Sequence, residues 1–455
     1  MPTPTQSSVI SHQSSVVRYW DTPFFVELLL LALTAPVLYF PGRFEGQEIG
    51  VAIGILAAGW LWRRLTIGVW FRRTPADWPI FFLFLVMLPV SVWAAPGPLR
   101  EQYSIPRALI LVWNFFLFWT IVSHASRRRE LFHLCVVGFA GIGVVIAVAA
   151  LFGTSWPGKF PVIGALVSRL PTPLAGRSVG AEAGFSANQV AGVLLYVLPL
   201  LIALGVDGLL HRRREWRIWL SAGMAAGLLG LVLLLSQSRG GLVGLAAGLV
   251  CMLLINWRWG RWLLVGGTIG IIVLLPLLPL STILAEVGKV TGISSGGTGL
   301  DTWTGRVELW GRALLAISDF PFTGMGLGTF RKIVQILYPL FLVGPDFDIA
   351  HAHNFFLQTA LDFGLPGLIA MLAIYMLAIG QLIHPQQVNT SFGRSWPIGL
   401  LGCLAAQTVY SMNDAVAMGS KPGLVFWYLL ALIFISSPYA TPARQKAASD
   451  MTERP

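Results

Sequence analysis

Residues 131–152 read LFHLCVVGFAGIGVVIAVAALF, with no acidic or basic side chain besides His133. A helix needs about 20 predominantly apolar residues to cross a bilayer, and this stretch supplies them. Comparable runs recur along the chain, near 24–40, 48–62, 76–95, 105–123, 187–210, 218–235, 240–257, 262–282, 354–380, 396–411 and 422–439. The runs are too long to be the alternating ten-residue strands of a barrel. The expected fold is therefore an all-α polytopic membrane protein with about twelve transmembrane helices. Composition agrees: of 455 residues, 55% are hydrophobic and 11% charged, where soluble domains average about 25% charged. Mean hydropathy is +0.72. A water-soluble globule, a disordered tail and a collagen-like fibre are excluded.

The connections set an orientation. Arg63, Arg64, Arg72 and Arg73 fill one loop, and Arg127, Arg128 and Arg129 another. Arg212, Arg213, Arg214 and Arg217 mark a third, and Arg258 with Arg261 a fourth. All four fall on one side under a twelve-span count, and basic loops stay in the cytoplasm. Both termini are then cytoplasmic. Residues 1–22 lack the pattern of a removable signal. The net charge of +11 reflects this bias and anionic head groups, and nucleic acid is not an expected partner. Cys135, Cys251 and Cys403 lie within apolar runs and read as buried small hydrophobes.

The opposite side holds two long connections, about 153–186 and 283–353. The second contains amphipathic stretches such as Val307–Ile317, expected as short helices on the membrane surface. The chain divides into an N-terminal part (1–186), a core with the large loop (187–380) and a C-terminal part (381–455). Basic residues on this outer side run against the insertion bias, Arg107 and Arg239 among them. Arg239 sits in Ser236-Gln237-Ser238-Arg239-Gly240-Gly241, a tight turn between spans. Its planar fork suits phosphate oxygens; snorkelling to head groups is the bland alternative. Arg177, Arg306 and Arg312 lie in the outer loops, and together they suggest an external anion site.

The large loop ends in His351-Ala352-His353-Asn354 and a span follows at once. A neutral histidine at a helix N-terminus can accept a proton from a hydroxyl. An interfacial histidine satisfied by a carbonyl is the alternative, and a two-histidine metal site is a weak signal. Asp346-Phe347-Asp348 has the spacing of a divalent-metal motif, but such acidic pairs are common. Gly324-Met325-Gly326-Leu327-Gly328 looks like a phosphate loop, yet lacks the following Lys-Ser/Thr, so a glycine turn is expected.

Gln237-Ser238-Arg239-Gly240-Gly241, Arg306 with Trp310, Pro321–Phe330, His351–Asn354 and Gly364-Leu365-Pro366-Gly367 occur in order. This constellation resembles the O-antigen ligase superfamily, which includes ligases, polymerases and protein O-oligosaccharyltransferases. The resemblance implies a bacterial inner-membrane glycosyltransferase of GT-C-like, lipid-donor architecture. It implies a glycan donor on undecaprenyl diphosphate and a hydroxyl acceptor (lipid A core, glycan or protein) on the outer side. It further implies catalysis without metal or other cofactor, and an inverting single displacement is expected. Carried over, the family's essential histidine matches His353, with His351 as second choice. The phosphate-binding arginines match Arg239 and then Arg177 or Arg306, with Arg312 and Asn354 nearby. The competing reading is a transporter or flippase for lipid-linked saccharides, which would place charges at mid-membrane. The spans are almost free of charge, Glu27 being an exception.

Overall fold

A computed structural model describes residues 21–174, 184–211, 216–257, 259–274, 303–344, 348–383 and 392–435. These are nearly all helical; the described strands are Thr154–Ser155 and Phe185–Ser186, paired in parallel. Eight helices are long and apolar enough to cross a membrane: Thr22–Tyr39, Gly46–Ile67, Asp77–Ala94, Gly97–Ala125, Arg129–Gly153, Trp216–Leu235, Arg239–Asn256 and Phe355–Ile383. Ala187–Leu194 and Leu198–Leu210 form a ninth if their 45° bend lies within one span. The break precedes Pro199, which has no N–H to give the helical ladder. The other three expected spans include helices Gly260–Leu274, Ser395–Ser411 and Lys421–Phe434, and residues 275–282 and 436–439 of those spans lie outside the described residues.

Glycine sets the closest packing. A Cβ on Gly244 would lie 2.7 Å from the Ala406 carbonyl, and one on Gly248 would lie 2.6 Å from that of Gly402. This small-residue stripe lets Arg239–Asn256 and Ser395–Ser411 meet backbone to backbone. The N-terminus of the first is thereby brought beside the C-terminus of the second.

The Phe355–Ile383 helix is broken at Gly364 (φ 68°, ψ −179°). The freed Leu365 N–H donates to Pro321 O at 2.7 Å, and Met325 N–H donates to Leu361 O at 2.7 Å. The Gly-Leu-Pro-Gly and Pro-Phe-Thr-Gly-Met-Gly motifs are thus two halves of one interlock. Gly324, Gly326 and Gly328 all have positive φ, and each presses on neighbouring protein atoms. The N–H groups of Met325 and Gly328 are spent on protein acceptors, so this segment is a packing turn.

The segment before Phe355–Ile383 has a core of its own. Helix Trp303–Asp319 buries Leu309, Ala313, Ala316 and Ile317 against Phe330, Ile333, Val334 and Ile349. At the other end of the molecule, the Arg63 guanidinium pairs with Glu27, its Nε 2.9 Å from Oε1. Thr120 donates to the same carboxylate at 3.0 Å, and His124 Nε2 lies 2.8 Å from it. His124 and Arg107 share one helix, so about 25 Å separates this buried cluster from the end described next. The three cysteines are free and buried.

Candidate functional site

Two non-glycine residues with positive φ occur among the described residues, Gln237 (51°) and His353 (49°). One lies in each sequence motif. Such conformations persist only where surroundings enforce them, and they cluster at functional sites. Gln237 is buried, donates to Pro157 O and accepts from Phe160 N–H at 2.6 Å. It therefore ties residues 157–160 to the Arg239 turn. Ser238 caps the helix that Arg239 begins, accepting from Gly241 N–H at 3.3 Å.

Arg239 is exposed and has no hydrogen-bond or ion-pair partner among the described residues. A Cβ on the adjacent Gly240 would lie 3.3 Å from the Asn413 amide nitrogen. Arg306 donates to Asn413 O at 2.7 Å. Asn354 Nδ2 donates to Met412 O at 3.2 Å. The short segment after helix Ser395–Ser411 thus gathers the Arg239 turn, Arg306 and the histidine loop.

Asp414, on this segment, completes the group. It is 4% exposed, with Oδ1 at 3.3 Å from His353 Nδ1 and 3.7 Å from His351 Nε2. The His353 N–H donates to His351 Nδ1 at 3.2 Å, which leaves the His351 proton on Nε2. Burial above all, with His353, Arg107 and Arg306, lowers His351 to about 4 against the pull of Asp414. His351 is therefore neutral at pH 7. Burial works to raise the Asp414 carboxyl, but His353, His351 and the Ala415 N–H outweigh it and hold it below the ordinary carboxylate range. A proton on His353 Nδ1 would face an ionised carboxylate. That leaves Nε2 with a free lone pair, the arrangement of an oriented general base.

The loop itself is held rigidly. Ala352 N–H donates to Gln358 Oε1 at 2.9 Å, and Ala352 O accepts from Trp310 Nε1 at 3.1 Å. The Asn354 side-chain oxygen caps the next helix, accepting from Phe356 and Leu357 N–H at 3.0 Å each. Asn354, expected among the ligand-binding residues, thus engages its side-chain oxygen and one Nδ2 N–H within the protein. Arg312 lies over the Phe341 ring at 5.3 Å. Arg177 and Asp346 lie outside the described residues. Asp348 is held by Arg331.

His351, His353 and Asp414 each offer a ligand atom within 4.8 Å of the others. They are the group among the described residues that can hold a metal ion, although Arg107 and Arg306 set positive charge beside it. Asp414 escaped the sequence reading. Its one signal was a polar pair, Asn413-Asp414, directly after an apolar run. Asp362 is a further charge inside a span, hidden by the hydropathy of its neighbours.

Residues 224–372 match the family described as O-antigen ligase. Over this segment the chain is similar to that family. The resemblance seen in the motifs therefore holds, and Arg239, Arg306, Arg312, His351, His353 and Asn354 all fall within the O-antigen ligase segment. Asp414 comes from beyond it. The chain is also 25% identical over 385 residues to the Exopolysaccharide production protein ExoQ of Rhizobium meliloti, covering 78% of this chain and 76% of that protein. A multi-pass membrane protein with a role in polysaccharide-related glycan transfer follows from the O-antigen ligase match and the apolar helices.

Proposed function

We propose that this protein transfers a glycan from undecaprenyl diphosphate to a hydroxyl acceptor at the outer face of a bacterial inner membrane, within a twelve-span, GT-C-like frame. The carrying observation is the convergence of the histidine–carboxylate pair, Arg306 and the Arg239 turn on residues 412–414. His353 Nε2 takes the acceptor hydroxyl proton as its oxygen bonds to the anomeric carbon. The bond from that carbon to the diphosphate breaks, and undecaprenyl diphosphate leaves with its electron pair. A single displacement inverts the anomeric centre. Arg239 and Arg306 meet charge growing on the leaving diphosphate, so neither an acid catalyst nor a metal is required. The likeness to an exopolysaccharide production protein favours a glycan acceptor over lipid A core or protein. The basic loops at the end opposite the histidines are read as cytoplasmic.

The test is single-turnover release of undecaprenyl diphosphate, using lipid-linked oligosaccharide and acceptor glycan extracted from host membranes. His353→Ala should slow release by about 10²–10⁴-fold, with affinity for undecaprenyl diphosphate itself unchanged. Arg239→Ala should weaken that affinity, and Arg239→Lys should restore part of it. Turnover should survive EDTA. Normal turnover in His353→Ala would refute the general base, and metal-restored activity after EDTA would make His351, His353 and Asp414 ligands.

A further inference from the structure

Asp362 is 1% exposed in a helix read as membrane-spanning. Its Oδ1 accepts from Gly328 N–H and from Gln358 Nε2, both at 2.8 Å. Its Oδ2 is buried with no hydrogen-bond partner, and so is Nη1 of Arg107. Gly328 stands between the two charges. A Cβ there would lie 2.1 Å from Arg107 Nη1, so only glycine fits, and its φ of +75° suits glycine as well. Arg107 is held by its own helix entry. The preceding wide turn, Arg100–Ser104, is fixed by Ser104 Oγ donating to Leu327 O at 2.8 Å. Gly419 packs on the Arg107 carbonyl from the loop that carries Asp414.

The relay from this carboxylate ends at the site. Gln358 and Asp362 are four residues apart on one helical face. Gln358 reaches on to the Ala352 N–H, the peptide between the two histidines. A neutral acceptor would satisfy both donors on Oδ1 without the cost of burying an ion, which is several kcal/mol. The charge therefore has a further reason, and Arg107 supplies it, since the two groups act on each other electrostatically. Resting on the reading of His353 as base, we propose that Asp362, acting through Gln358 on the Ala352 peptide, positions the histidine loop, with Arg107 as its counter-charge across Gly328. Neither Asp362 nor Gln358 touches substrate in this arrangement; both are positioning residues.

The experiment measures single-turnover rate and undecaprenyl diphosphate affinity for Gln358→Ala, Asp362→Ala, Asp362→Asn, Arg107→Gln and the Asp362→Asn/Arg107→Gln pair, each checked for monodispersity in detergent. Gln358→Ala and Asp362→Ala should lower the rate on the order of 10- to 100-fold, the cost of displacing a reacting group by about 1 Å, with affinity unchanged. Asp362→Asn keeps an acceptor for both donors but strands the Arg107 charge, so it should also be slow. Adding Arg107→Gln should recover at least about tenfold, because the relay then stands without either ion. A double variant no faster than Asp362→Asn, or Arg107→Gln alone losing affinity for undecaprenyl diphosphate, would overturn the counter-charge. Normal rates in Gln358→Ala and Asp362→Ala while His353→Ala is slow would overturn the relay alone. Normal turnover in His353→Ala would instead remove the general-base reading beneath it.

Discussion

Replacing Asp414 by Asn keeps the shape of a buried side chain and removes its charge. If His353 gains a proton in the transition state, the carboxylate 3.3 Å from Nδ1 stabilises the imidazolium. Coulomb's law at an effective dielectric of about 20 gives about 5 kcal/mol for unit charges at that separation. At about 1.36 kcal/mol per decade, the ceiling is nearly four decades in rate. The His353 side chain is 18% exposed, so water screens part of this. A second bound is chemical: a positioning carboxylate cannot be worth more than the base it serves, about 10²–10⁴-fold. Asp414→Asn should therefore slow single-turnover release of undecaprenyl diphosphate by about 10²–10³-fold, leaving affinity for the carrier unchanged. The stronger test is the double variant. His353→Ala with Asp414→Asn should be no slower than His353→Ala alone, because two groups acting as a unit are lost together. Multiplying losses, or a near-normal Asp414→Asn, would refute the pairing.

Gly364→Ala should destabilise the fold by about 2–3 kcal/mol, since its Cβ would lie 2.5 Å from Phe322 O at a positive φ; thermal unfolding in detergent reads this. Glu27→Gln should cost about 3–5 kcal/mol by leaving Arg63 buried and uncompensated, and Arg63→Met in the same chain should recover most of the loss. His351 binds its proton less well folded (about 4) than unfolded (about 6.5). The stability it contributes is full above about pH 6.5 and is lost as pH falls toward 4. Between pH 7 and 5 the protein should lose about 2 kcal/mol from this residue, and His351→Gln should show a correspondingly shallower decline. Equal slopes would mean that His351 is not buried neutral.

What the sequence settled are properties of contiguous residues. Apolar windows located the eight helices long and apolar enough to cross a membrane, because the bilayer thickness converts directly into residue count. The missing Lys-Ser/Thr after Gly328 already argued for a glycine turn. Arg239 and His353 were legible because each lies in a compact motif with glycine or a helix start beside it. Asp414, Gln358 and Asp362 were not legible, since each is one polar residue in or against an apolar run. The tertiary structure decided which of these groups meet. Gly244 and Gly248 let two helices approach backbone to backbone, which sets residues 412–414 against the Arg239 turn. Gly364 breaks a span, and the turn of helix before it links Asp362 through Gln358 to the Ala352 N–H. Charge pairing depends on distances fixed by helix register across the bundle, and no window along the chain contains those distances.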